Sequence, residues 1–186
     1  MFTNQSGNTV GGDLVGGNKY TSTTNNFTNQ SPLARLYERL RTDNQSQPYF
    51  AQISEQLQHY CSAVTDGDVR GLEAKLSDSN RMDLIRVATK LKESAAKTVM
   101  KYQTSGIAQD ILTHILAKLY TEFFLNVTPA IEAGAPRVDV DALISEKVLK
   151  PALEMLGDND LMLTQADLLG LLFFLGGNCH VRWDPC

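Results

Sequence analysis

From Ser31 onward, apolar residues recur every three or four positions, the period of helices that bury one face. In "SPLARLYERLRT", Leu33, Leu36, Tyr37 and Leu40 share a face, with Ser31 placed to cap the helix and Pro32 to begin it. "PYFAQISEQLQHYCSAV" repeats the pattern through Phe50, Ile53, Leu57 and Tyr60, starting from Pro48 near its first turn. "DVRGLEAKL" reads as a short helix after the turn signal "TDGD". Between Arg81 and Tyr102 a narrow stripe forms from Leu84, Val87, Ala88, Leu91, Ala95 and Tyr102. Its two alanines predict the close approach of another helix.

"IAQDILTHILAKLYTEFFLNV" is apolar over most of its circumference, which places it at the centre of a bundle, and it is expected to end near Pro129. "VDVDALISEKVLKPALEML" predicts another helix, kinked or restarted at Pro151, because proline lacks an amide donor and crowds the preceding turn. "TQADLLGLLFFLGG" predicts the last helix, capped by Thr164 and stopped by Gly176-Gly177. The closing "NCHVRWDPC" is short, irregular and compatible with an extended segment. The expected fold is mainly α: a bundle-like domain of about six or seven helices over residues 31–186.

Residues 1–30 follow another pattern. Five glycines fall between Gly7 and Thr21. Gly12 and Gly17 have the glycine spacing of a phosphate-binding loop, but Asn18 takes the lysine position and no amphipathic helix follows. Read in fives, the stretch is regular: units beginning at Gly7, Gly12 and Gly17 open with Gly-Asn or Gly-Asp and carry Val10, Val15 and Tyr20 at the fourth place. A period of five suits short extended pieces joined by tight turns, with Gly, Asn and Asp supplying positive φ angles. Units this few need stacked neighbours to bury anything, and a plain spacer has no use for regular apolar places. The stretch is therefore expected to be a β-type oligomerisation element built by several copies, through Val10, Gly12, Asp13, Val15, Gly16, Gly17, Asn18 and Tyr20.

Composition narrows the function classes. The chain has 186 residues, 42% of them hydrophobic, and a net charge of −4 that gives no general reason to expect nucleic-acid binding. A local exception is the stretch from Arg81 to Gln103, with six basic and two acidic residues. Arg86, Lys90, Lys97 and Lys101 lie opposite its apolar stripe, where they form either an ordinary solvated face or a docking face for an acidic partner or a phosphate backbone. The three cysteines lack metal-type spacing, the amino terminus lacks a cationic-then-apolar leader, and the longest apolar run is too short to span a bilayer. A cytoplasmic protein away from membranes is expected.

Candidate chemistry is sparse. His59 and His114 sit singly within amphipathic helices, the usual setting of a structural histidine. Cys179, His180 and Cys186 lie close in sequence but lack a second convincing pair of zinc ligands. "DNDLMLTQAD" lacks the ligand order and central glycine of a calcium loop. No nucleophile–base constellation is visible. A non-enzyme without metal or cofactor is expected.

"GLEAKL", "NRMDLIRVATKLKESAAKTVMKYQ", "AQDILTHILAKLYTEFFLNVTPAI" and "GLLFFLGGNCHVRWD" together resemble the C-terminal helical domain of the third component of ABC-three-component systems, prokaryotic anti-phage conflict systems. The Gly177–His180 stretch with Arg182-Trp183 is the most specific part, and "GGDLVGGNK" resembles a short element at the amino termini of bacterial immunity proteins. The resemblance implies a domain that couples a variable N-terminal effector to an ABC-type ATPase and a middle component. Here a Gly/Asn-rich element stands where an effector would be, so the expectation is a non-catalytic, self-associating adaptor. Asn178, His180 and Arg182 are its expected partner-binding residues. A regulatory module binding nucleic acid or another ligand through the basic face is the alternative.

Overall fold

The computed structural model describes residues 31–42, 53–65 and 69–185. The five-residue units and all eight expected oligomerisation residues lie outside the described residues. Helix α5 (Gly106–Glu122) forms the centre, with Ala108, Ile111, Leu112, Ile115, Leu116 and Leu119 fully buried. Around it pack α1 (Pro32–Thr42), α2 (Glu55–Cys61), α8 (Lys150–Leu156) and α9 (Gln165–Gly177). Among the described residues there is no strand. The second helix begins later than its apolar spacing suggests. Ser54 caps it by accepting a hydrogen bond from the Leu57 amide at 3.3 Å, so Ile53 lies ahead of the helix, and Pro48 and Phe50 fall outside the described residues.

Helix α4 (Ile85–Lys101), entered through a 3₁₀ turn at Met82–Leu84, packs along α9 more extensively than any other helix pair. Small residues allow this. A Cβ added at Gly170 would lie 2.8 Å from the Leu91 carbonyl oxygen and 3.6 Å from the Ala95 methyl. Glycine inside a helix costs about 0.5–1 kcal/mol relative to alanine. Each large side chain that the contact removes from water gives back about 1.5–3 kcal/mol, so the close approach wins. The stripe differs from its sequence reading at two places: Val87 is 53% exposed, whereas Val99 is buried along with Ala88 and Ala95.

The two prolines receive one structural answer. The chain stays helical past Pro129, with a π turn at Phe123–Val127 leading into α6 (Thr128–Glu132). Similarly, α7 (Arg137–Leu143) passes through a π turn at Ile144–Leu149 into α8, which contains Pro151. In each case the last amide before the proline reaches back five residues, from Thr128 to the Phe123 oxygen and from Lys150 to the Ser145 oxygen. The wider turn accommodates a ring that would otherwise collide with the carbonyl one turn back. The helix expected to end near Pro129 therefore continues to Glu132.

Thr164 and Asp167 form a reciprocal capping box at the start of α9. Its other end is closed differently from the Gly-Gly stop expected from sequence. Both glycines are helical, and Cys179 turns the chain with φ of 64°. The Cys179 amide donates to the Gly176 oxygen at 3.2 Å, and the His180 amide to the Leu175 oxygen at 2.9 Å, the paired bonds of a Schellman ending. Gly176 is needed for contact: a Cβ there would lie 2.6 Å from the Trp183 ring. The buried ammonium of Lys75, on α3 (Leu72–Asp78), donates to the Gly176 and Val181 oxygens at 3.1 and 3.4 Å. It thereby ties the end of α9 to the Val181 carbonyl of the segment that folds back after it.

Candidate functional site

Beyond α9 the chain folds back with side chains alternating in direction. Val181 and Trp183 are buried, while His180 and Arg182 stay partly exposed. The indole packs between Phe123 and Phe173, with ring centroids 5.6 and 5.5 Å away, and lids the bundle. Asp184, beside it, is buried and pairs with Arg70.

Asn178 and His180 bind the end of α2 to the end of α9. The Asn178 side-chain amide donates to the Tyr60 oxygen at 2.9 Å, and its own carbonyl accepts from the Val64 amide at 3.0 Å. Nε2 of His180 lies 3.2 Å from the Ser62 oxygen. Arg182 reaches Glu132 at 3.7 Å. Of the three expected partner-binding residues, Asn178 and His180 thus hold the fold together locally as well as bordering its surface.

The structure adds neighbours that periodicity did not single out. The His180 ring lies 5.3 Å from His59, 5.7 Å from Tyr60 and 6.4 Å from Tyr120. Tyr120 stacks on Phe124 at 6.1 Å with an interplanar angle of 20°. These rings come from α2, α5, the first π turn and the C-terminal segment, and Phe124, Leu125 and His59 are exposed. His59, read from sequence as a lone helical histidine, is part of this cluster. Burial, reinforced by the neighbouring His59, lowers the pKa of His180 below its ordinary value. A cluster of half-exposed rings offers contact area with little side-chain entropy to lose, a property of binding surfaces.

Arg86, Lys90, Lys97 and Lys101 are all exposed along the outer side of α4. Among the described residues none of them makes an ion pair, and Lys101 sits 4.8 Å over the Tyr102 ring. Glu93 shares this stripe, three residues from Lys90 and four from Lys97, so the face is predominantly but not uniformly cationic. No group of three or more His, Cys, Asp or Glu side chains suited to a metal gathers among the described residues, and Cys186 lies outside them.

Residues 71–183 match the family model of C-terminal domain 9 of the ABC-three component (ABC-3C) systems. The chain belongs to this family. As an ABC-3C component domain it partners other components of an anti-phage conflict system. The match includes Asn178, His180 and Arg182 with Tyr120 and Phe124, while α2, which supplies His59 and Tyr60, precedes it. The ring cluster is thus assembled from the ABC-3C domain and from a helix outside the matched span. No curated protein and no solved structure matches the chain. No helix among the described residues is long and apolar enough to cross a membrane.

Proposed function

We propose that the chain is a non-catalytic adaptor that docks other ABC-3C components through the surface around His180 and associates with itself through residues 1–30. The observation that carries the docking role is the ring cluster of His59, Tyr60, Tyr120, Phe124 and His180, bordered by Arg182. The partners would be an ABC-type ATPase and a middle component. The five-residue repeat, with apolar places and no core of its own, supports self-association.

Co-expression with those components tests the docking role. Phe124→Ala combined with Arg182→Ala should leave the fold intact, as judged by circular dichroism, and weaken their capture. Undiminished capture by the folded double variant would sink the assignment of this surface. For self-association, light scattering on the full chain and on a chain lacking residues 1–30 should show a fall in mass; equal masses would refute the role of the repeat. Val15→Asp is expected to loosen the assembly in the same assay without loss of helix.

A further inference from the structure

Between α4, the second π turn and α9 opens an apolar cleft of about 210 Å³, lined among others by Leu84, Val87, Ile144, Leu149, Phe173 and Trp183. That is below the ~300–1,000 Å³ typical of clefts that enclose a whole small-molecule ligand. The space suits a single large side chain offered from outside. Val87 stands at its lip, 53% exposed although it adjoins the core. Asp141 also lines the cleft, but its carboxylate is already held by Arg81 at 3.0 Å and Arg137 at 3.4 Å.

The charges available to a visitor are therefore cationic. Lys90 lies one helical turn from Val87, and Arg86 one turn from Lys90, so both flank the lip on the outer side of α4. Both are exposed and make no ion pair among the described residues. An apolar notch beside two uncommitted cations complements an apolar anchor flanked by carboxylates. Nucleic acid fits less well: Glu93 interrupts the cations along which a phosphate chain would run.

We infer that this cleft is a docking site for an acidic amphipathic helix of a partner protein, which seats one aliphatic or aromatic side chain against Val87 and Trp183 and places its carboxylates against Arg86 and Lys90. Only the origin of that helix, another ABC-3C component, rests on the adaptor reading. The site is distinct in its residues from the ring cluster around His180.

Trp183 is the sole tryptophan of the chain and lines the cleft, so its emission reports occupancy directly. The probe is a synthetic amphipathic peptide with a leucine–phenylalanine face flanked by glutamates, titrated into the full chain. Two control peptides carry lysines in place of the glutamates, or serines in place of the anchors. The expected result is a saturable emission change with the acidic peptide and roughly tenfold weaker binding of both controls. Arg86→Glu with Lys90→Glu should weaken the acidic peptide by at least roughly tenfold and favour the lysine peptide. Val87→Asp should abolish the response while circular dichroism stays unchanged. Equal binding of the acidic and lysine peptides, full binding by the charge-reversed variant, or no response to any peptide would overturn the inference. So would an oligonucleotide that binds through Arg86 and Lys90 where the acidic peptide does not. Loss of the peptide response with component capture intact would remove the cleft alone. Loss of capture with the response intact would remove the adaptor role alone.

Discussion

The two sides of α4 obey opposite rules. On the inner side, where Ala88, Ala95 and Val99 are buried, the Leu91 backbone and the Ala95 methyl come so close to α9 that Gly170 has no room for a methyl group. Here sequence is dictated by shape, and charge is admitted only where a partner is fixed, as for Lys75 in the adjoining core. On the outer side, Arg86, Lys90, Lys97 and Lys101 are exposed without ion pairs among the described residues, and Lys101 alone of them lies over a ring, that of Tyr102. One helix therefore carries a surface that holds the fold and a surface that is free for other work. Stability measurements and binding measurements should separate them.

The largest effect is expected at the lid beside this interface. Trp183→Ala removes a buried ring that packs on Phe123, Phe173 and Gly176, and should cost about 3–5 kcal/mol in denaturant unfolding. A loss below about 1 kcal/mol would show that the segment after α9 is not an integral part of the core.

Gly170→Ala sharpens the comparison further. On helix propensity alone it should stabilise α9 by about 0.5–1 kcal/mol. The added methyl would lie 2.8 Å from a backbone oxygen of α4, which cannot swing aside as a flexible side chain would. A net loss of about 1–3 kcal/mol is expected, and a measured gain would mean that α4 and α9 are less tightly apposed.

A smaller effect should follow pH. His180 has a lowered pKa in the fold, so the unfolded chain binds more protons near neutrality and stability rises with pH. The contribution is present above the unfolded value near 6.5 and is lost as pH falls through the lower folded value. The groups around the ring are His59, Tyr60, Tyr120 and the Ser62 carbonyl. Thermal melts between pH 7.5 and 5 should show this loss in the wild type and less of it in His180→Gln. Identical pH profiles would remove His180 as the cause.

The smallest effect belongs to the outer face. Reversing Lys97 and Lys101 to glutamate should change unfolding free energy by no more than about 0.5 kcal/mol per site. A larger loss would mean that this side of α4 supports the fold after all.

Much of the architecture was legible because helical periodicity is a local property. The central placement of α5 followed from its apolar circumference, and the close approach to α4 followed from its alanines. Thr164 as the cap of α9 followed from its position and type. Even the two prolines were correctly singled out as disturbances. What differed was the remedy: a break was expected at Pro129 and a kink or restart at Pro151, and both became π turns. Whether a helix breaks or widens depends on whether neighbours hold both halves in place, and spacing along one chain does not contain that.

The candidate site divides in the same way. The sequence by itself determined the helical class, the membership of Asn178, His180 and Arg182 in a distinctive C-terminal stretch, and the cationic side of α4, because each is written in contiguous residues. Only the tertiary structure decided that His59, Tyr60, Tyr120 and Phe124 surround His180, that Gly176 makes room for Trp183, and that Val87 stands at the lip of a cleft instead of inside the core. These are contacts between residues as far apart as α2 and the end of α9. Such contacts are selected by packing the whole chain at once, when burial of the apolar stripes fixes which helix faces meet and which side chains are left outside.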